Sequence, residues 1–106
     1  METRTERIRE LNDAARQSLV DGLMLFSPGL AELPATEQAA IVDCVRTYDA
    51  WNDPYGDHDF GAFEHTGRTI FWKVDCFDRH LNYGSPDAAD PELSRRVLTV
   101  LLADEW

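Results

Sequence analysis

The residues best suited to chemistry form an acidic segment in the middle of the chain. Five carboxylates lie between Asp49 and Glu64, and no lysine or arginine falls among them. The asparagine, proline, glycines and aromatic residues of this segment indicate an ordered loop. An ordered surface of carboxylates attracts a cation or a basic protein face. We therefore predict a binding surface, whose contact residues would be Asp49, Asp53, Tyr55, Asp57, Asp59, Phe77 and Asp78.

The same carboxylates admit a metal-dependent alternative. Carboxylate oxygens are the ligands that Mg²⁺, Mn²⁺ and Ca²⁺ prefer, and clusters of them support the hydrolysis of phosphate esters. In that case His58 or His80 would serve as the base. However, the sequence contains no HExxH, no phosphate-binding glycine loop and no CxxC pair. We therefore predict no catalytic residue and no cofactor; if a divalent cation binds, its ligands would be Asp53, Asp57, Asp75 and Asp78.

The charge of the chain restricts its partners. Twenty acidic residues against ten basic ones leave a net charge of −10. This excess opposes direct binding to nucleic acid or to an anionic membrane, because both require a basic face. The charged start of the sequence lacks the apolar core of a signal peptide, and no apolar run approaches the roughly 20 residues of a membrane span. We predict a cytoplasmic protein.

Apolar periodicity predicts the elements that position the acidic loop. The chain has 106 residues, 43% of them hydrophobic, which fits one domain spanning residues 1–106. Thr3 and Glu6 form a capping box at the start of a first helix, residues 23–26 suggest a short strand, and a second helix begins near Thr36. The predicted order is α-β-α-β-β-α, an α+β domain with an antiparallel sheet of about three strands flanked by helices.

The last element is predicted to be a helix. Asp90 followed by Pro91 resembles a capping residue with proline at the first helical position. The apolar residues that follow would form its buried face, namely Leu93, Val97, Val100 and Leu101.

A β-hairpin after the acidic loop would define the shape of the acidic surface. We interpret residues 65–67 as a three-residue turn with Gly67 in the left-handed region. The resulting register produces two opposite-charge pairs, which supports it. It also sets two aspartates directly opposite one another; either a cation would bind between them, or the strand ends would splay and solvent would separate them. The predicted cross-strand pairs are Glu64 with Arg68, Asp59 with Lys73, and Asp57 with Asp75.

Four motifs in this chain resemble a small bacterial domain family of unknown function. They are NDPYGDHDFG at residues 52–61, FWKVD at 71–75, YGSPD at 83–87 and RVLTVLLA at 96–103. The family is frequent in alphaproteobacteria, is often found on plasmids and has the signature NDPYGxHDFG. The resemblance spans nearly the whole chain. It implies no established activity, cofactor or catalytic set, and its plasmid association implies an accessory role on mobile elements.

We consider three functions. The first is a non-enzymatic acidic binding protein, an inhibitor of the anti-CRISPR, anti-restriction or nucleic-acid-mimic type, which engages a basic surface such as that of a nucleic-acid-binding host protein. The second is a structural or homo-oligomeric domain of unknown role, in which the acidic motif supplies only turn and capping groups. The third is the metal-dependent hydrolase. We rank them in that order.

Overall fold

The structure, a computed structural model, describes residues 1–19 and 21–106. The described part forms an α+β domain, which confirms the predicted class. Its elements in chain order are α1 (Arg4–Ser18), β1 (Gly22–Phe26), α2 (Pro28–Ala31), α3 (Ala35–Arg46), β2 (Phe60–His65), β3 (Arg68–Phe77), β4 (Arg95–Leu102) and a 3₁₀ turn (Ala103–Glu105). Thr3 caps the start of α1 as predicted, since the Glu6 amide donates to Thr3 Oγ1 at 3.1 Å.

The sheet has four strands in the order β1-β4-β3-β2. The three neighbours β2, β3 and β4 pair antiparallel, and β1 joins β4 in parallel at one edge. The prediction of about three antiparallel strands is therefore corrected to four strands in a mixed sheet.

The predicted last helix is wrong, because its residues form the central strand β4. Leu98 and Val100 point toward the helices, while Val97 and Leu101 point to the opposite side, and all four are buried. A strand that is apolar on both sides reads as a continuous apolar run, which periodicity cannot distinguish from a buried helix. Asp90 does act as a cap, but of a turn, where its Oδ1 accepts from the Glu92 amide at 2.9 Å.

The hairpin register differs from the prediction by one residue. The turn contains two residues, Thr66 at φ 48° and Gly67 at φ 79°, so that His65 pairs with Arg68. A tight turn of this type needs positive φ at both positions, which threonine rarely adopts. The shift removes the predicted charge pairs, and Glu64 now faces Thr69.

The predicted contact between Asp57 and Asp75 is also wrong. Asp75 lies in β3, where its neighbour on β4 is Val97. Lys73, predicted to pair with Asp59, lies opposite Phe60 and forms an ion pair with Asp75, with 3.0 Å between Nζ and Oδ2. The two aspartates are separated because the shorter turn changes which β2 residue meets each β3 residue.

The core lies between the sheet and the helices. The predicted hairpin register assigns Ile70, Trp72 and Val74 to the core side together with Phe60 and Ala62. For the three β3 residues this is confirmed, since all of them point into the core. From β2, however, Gly61 and Phe63 share this side instead of Phe60 and Ala62. The indole of Trp72 is completely buried and packs so closely on Gly61 that a Cβ there would collide with it. The helices contribute Ala15, Leu30, Ile41 and Val45.

On the opposite side of the sheet, Val97 and Leu101 are buried at the centre, but the edge strands β1 and β2 expose apolar residues. Leu23, Leu25 and Phe60 are 37%, 54% and 42% exposed on this side. Phe60, Phe71 and the C-terminal Trp106 form an aromatic cluster, with ring centroids 5.4–5.7 Å apart. This uncovered face carries apolar surface that the domain itself leaves accessible.

Candidate functional site

The acidic segment forms a loop, residues 47–59, that is bound to α1. Arg9 Nε donates to the Gly56 carbonyl at 2.6 Å, and Asn12 Nδ2 donates to the Asp57 carbonyl at 2.9 Å. These bonds satisfy backbone oxygens of the loop and hold it against the helix. The prediction of an ordered loop is therefore confirmed, although the sequence did not indicate that α1 would hold it.

The side chain of Asp53 stabilises this loop by binding the loop's own backbone amides. Its Oδ1 accepts hydrogen bonds from the amides of Tyr55 at 3.1 Å and Gly56 at 3.0 Å, and its Oδ2 accepts from the His58 amide at 2.7 Å. Desolvation acts to raise the pKa of Asp53, but these three backbone bonds outweigh it and the pKa is lowered. Both carboxylate oxygens are engaged, so Asp53 acts as a turn-forming residue.

His58 links the loop to α1 and to an aromatic ring. Its Nδ1 lies 2.9 Å from Asp13 Oδ1, and its imidazole stacks on Trp51. The backbone of His58 is left-handed, with φ 56°. The side-chain partner of His58 is Asp13, 45 residues away, and not one of the flanking aspartates. No local sequence signal marks such a long-range pair.

Arg16 forms the interior support of the site. Its side chain is 2% exposed, and its Nη1 donates to the carbonyls of Val45 at 2.8 Å and Arg46 at 3.0 Å, at the end of α3. Its guanidinium lies 5.1 Å from the ring centroid of Trp51 and 5.5 Å from that of Trp72. Arg16 thus satisfies terminal helix carbonyls and contacts two aromatic rings. Helical spacing in the sequence predicts Arg16 on a solvated face of α1 together with Arg9 and Asp13, and for Arg16 this prediction is wrong.

The outer surface of the loop carries the negative charge. Desolvation raises the pKa of Asp59, and the charges of Asp57, Asp53 and Asp75 raise it further. In the described part of the chain, no basic side chain forms an ion pair with Asp57 or Asp59. We call Asp57, Asp59 and the neighbouring Tyr55, whose ring is 82% exposed, the acidic patch.

The remaining predicted contact residues lie apart from this group. Asp49 is exposed, but neither it nor Asp78 is among the charges that act on Asp59. Asp78 closes a turn, since its Oδ1 accepts from the amides of His80 at 3.0 Å and Asn82 at 3.1 Å. Phe77 lies at the end of β3 on the uncovered face, opposite Arg95. Their roles in binding stay predictions.

The alternative metal ligands are not assembled. Asp57 and Asp75 do not face each other, and Asp53 and Asp78 bind backbone amides. Over residues 1–19 and 21–106, no group of three or more His, Cys, Asp or Glu side chains could hold a metal ion.

A separate cleft lies beside the hairpin turn. It has a volume of about 700 Å³ and contains none of the predicted site residues. Its charged lining residues are Glu32, Arg68 and Asp104.

Comparison with known proteins gives the family. The profile of a protein family of unknown function (DUF3768) matches residues 26–105, which include the acidic loop and three of the four strands. The chain belongs to the DUF3768 family. No curated protein and no solved structure matches the chain. The DUF3768 match begins at the last residue of β1, so the α1 residues that hold the loop precede the matched region.

A further observation concerns membranes. None of the described helices of this DUF3768 protein combines the length and the apolar character that crossing a bilayer requires.

Proposed function

We propose that this DUF3768 protein is a non-enzymatic binding protein whose acidic patch engages a basic protein surface. The observation that carries the proposal is that no described basic side chain forms an ion pair with Asp57 or Asp59. Burial and the neighbouring carboxylates also raise the pKa of Asp59. Negative charge held together in this way would be stabilised by lysine or arginine side chains from a partner.

The hydrogen bonds formed by the arginines support this proposal. Arg9 and Arg16 bind backbone carbonyls, and Arg96 binds Asn12 and the Ala88 carbonyl. These arginines bind oxygen atoms of carbonyl and amide groups, and none of them forms an ion pair with Asp57 or Asp59. A net charge of −10 then accelerates encounter with a basic partner by long-range attraction.

The proposed class is an accessory or inhibitor protein of a bacterial mobile element. Carboxylates on a rigid loop can imitate phosphates, so a host protein with a basic nucleic-acid channel would be a suitable partner, in the manner of an anti-CRISPR or anti-restriction protein. The mobile-element and cytoplasmic setting rests on the resemblance and the charge of the chain.

A structural role is the second candidate. The hydrogen bonds of Asp53 favour it, because they show that part of the acidic motif folds the loop. On this view Asp57 and Asp59 would contribute nothing to binding.

Affinity capture from a bacterial host lysate separates the two candidates. The immobilised protein should retain a basic protein at low ionic strength and release it at about 0.5 M salt, where exposed charges are screened. Asp57→Asn with Asp59→Asn should lose the retained protein. The control, Glu32→Gln with Glu92→Gln, removes the same charge from two exposed residues elsewhere and should retain it.

Three results would contradict the binding proposal. They are the absence of a basic protein, retention that ignores salt, and a double-asparagine variant that binds like the wild type.

A further inference from the structure

Strand β1 has an open edge. It pairs with β4 on one side, and no described strand pairs with it on the other. The Ser27 amide donates to the Val100 carbonyl at 3.0 Å, so the groups of Ser27 face β4. Successive residues of a strand direct their backbone groups to alternate sides, and the N–H and C=O groups of Met24 and Phe26 therefore face outward. Consistent with this, the Gly22 amide binds the Leu19 carbonyl, outside the ladder.

The sequence of β1 does not protect this edge. Proteins usually block an open strand edge with charged residues, proline or a bulge. The five residues of β1 are Gly-Leu-Met-Leu-Phe, without a charge or a proline. Its outward N–H and C=O groups are thus available to another strand.

Both faces of β1 present apolar side chains. Leu23 and Leu25 lie on the uncovered face of the sheet. Met24 and Phe26 line a groove of about 380 Å³ between β1 and α3. The helix side of the groove is formed by Ala35, Gln38, Ala39, Val42, Asp43 and Arg46.

We propose that β1 pairs with β1 of a second copy of the chain, antiparallel about a twofold axis at Leu25. Met24 of each copy would then exchange two hydrogen bonds with Phe26 of the other, which satisfies the outward groups of both residues. The two sheets would join into one of eight strands, a self-complementary arrangement typical of dimers.

Charge complementarity favours a second copy as the occupant. Asp43 and Arg46 line the same groove, and neither forms an ion pair within the described chain. A twofold axis sets the two α3 helices antiparallel, so that opposite charges approach across the groove. The groove and the open edge of β1 in one copy are therefore complementary to the same features of a second copy.

Salt separates this inference from the proposed function. Two chains of charge −10 repel one another at long range, while β1 itself is uncharged. Added salt screens the repulsion and should strengthen the dimer, whereas it should weaken binding to a basic partner. Either proposal can therefore fail without the other.

Sedimentation velocity from about 1 µM to 1 mM protein tests the dimer. The measured mass should rise from that of a monomer to that of a dimer as the protein concentration increases. With added salt, this rise should occur at a lower protein concentration. Leu25→Lys sets two like charges opposite each other and should stay monomeric. The control is Leu93→Lys, because Leu93 is 45% exposed and lies outside β1; it should dimerise like the wild type.

Two sedimentation results would overturn the dimer. One is a wild-type protein that stays monomeric at every concentration; the open edge of β1 would then be available only to a strand of another protein. The other is a Leu25→Lys variant that associates like the wild type.

Disulfide trapping tests the register directly, in a Cys44→Ser background. Residues opposite one another across the axis have Cα atoms about 4.5 Å apart, a separation suited to a disulfide. Leu25→Cys should form a covalent dimer under mild oxidation. Leu23→Cys, on the same face, should not, because its own copy would lie about 13 Å away along the ladder. Equal trapping of both variants, or of neither, would refute this register.

Discussion

The imidazole of His58 lies flat against the indole of Trp51, with ring centroids 3.6 Å apart and planes 3° from parallel. Trp51 in turn contacts Tyr48 and Trp72 edge-to-face, at centroid distances of 4.9 and 5.8 Å. The acidic loop is therefore connected to the core through aromatic packing as well as hydrogen bonds. This connection makes the outward carboxylates a fixed surface, and it can be tested by substitution.

Replacing His58 should destabilise the domain, and the loss should depend on how well the new residue adopts the left-handed backbone at this position. Alanine and glycine both remove the contacts with Trp51 and Asp13. Alanine also retains the cost of the left-handed conformation at φ 56°, which glycine adopts freely. We expect His58→Gly to be more stable than His58→Ala by about 1 kcal/mol, measured by urea unfolding. Equal stability would show that the loop relaxes when the ring is lost.

Arg16→Met should be among the most destabilising changes in α1. It leaves the buried carbonyls of Val45 and Arg46 without their donor, at an expected cost of about 2–4 kcal/mol. Arg7→Met is the matched control, because the Arg7 side chain is 41% exposed and its ion pair among the described residues is with Glu10 at the surface. It should change stability by less than about 0.5 kcal/mol. Similar losses in both variants would exclude an interior role for Arg16.

Asp53 and Asp57 should differ sharply, although both are aspartates of the same motif. Asp53→Ala removes the acceptor of three backbone amides and should lower the free energy of unfolding by about 1–3 kcal/mol. Asp57→Ala should change it by less than about 0.5 kcal/mol, because only the carbonyl of Asp57 is bound to α1. Chemical denaturation of the two variants compares them directly, and a large loss for Asp57→Ala would contradict this assignment.

Asp59→Asn should stabilise the protein at neutral pH. The folded chain raises the pKa of Asp59, so it binds the proton more tightly than the unfolded chain does. Ionisation of Asp59 therefore costs stability above the raised pKa, and the cost disappears as the pH falls into the usual aspartate range. The gain should be less than about 1 kcal/mol, because solvent screens this exposed group.

Thermal unfolding across pH measures this gain. It should vanish in acid for Asp59→Asn, because the protonated carboxyl group of the wild type is then uncharged like the amide. A gain that persists unchanged into acid would exclude the carboxylate charge as its cause.

The candidate site was partly predictable. Turn residues and unbalanced acidic charge indicated an ordered, negative loop, because both properties are local to the segment. The different contacts made by its individual aspartates were not predictable. Whether a carboxylate binds amides, as Asp53 does, or faces solvent, as Asp59 does, depends on the backbone path of the loop.

The sequence by itself determined the α+β class, the start of α1 and the alternation of β3, since capping and periodicity act over a few neighbouring residues. Only the tertiary structure decided that residues 95–102 form a strand and that the hairpin turns on two residues. It also decided that His58 meets Asp13. These outcomes depend on contacts between distant segments, where burial on both sides of a sheet overrides local preference.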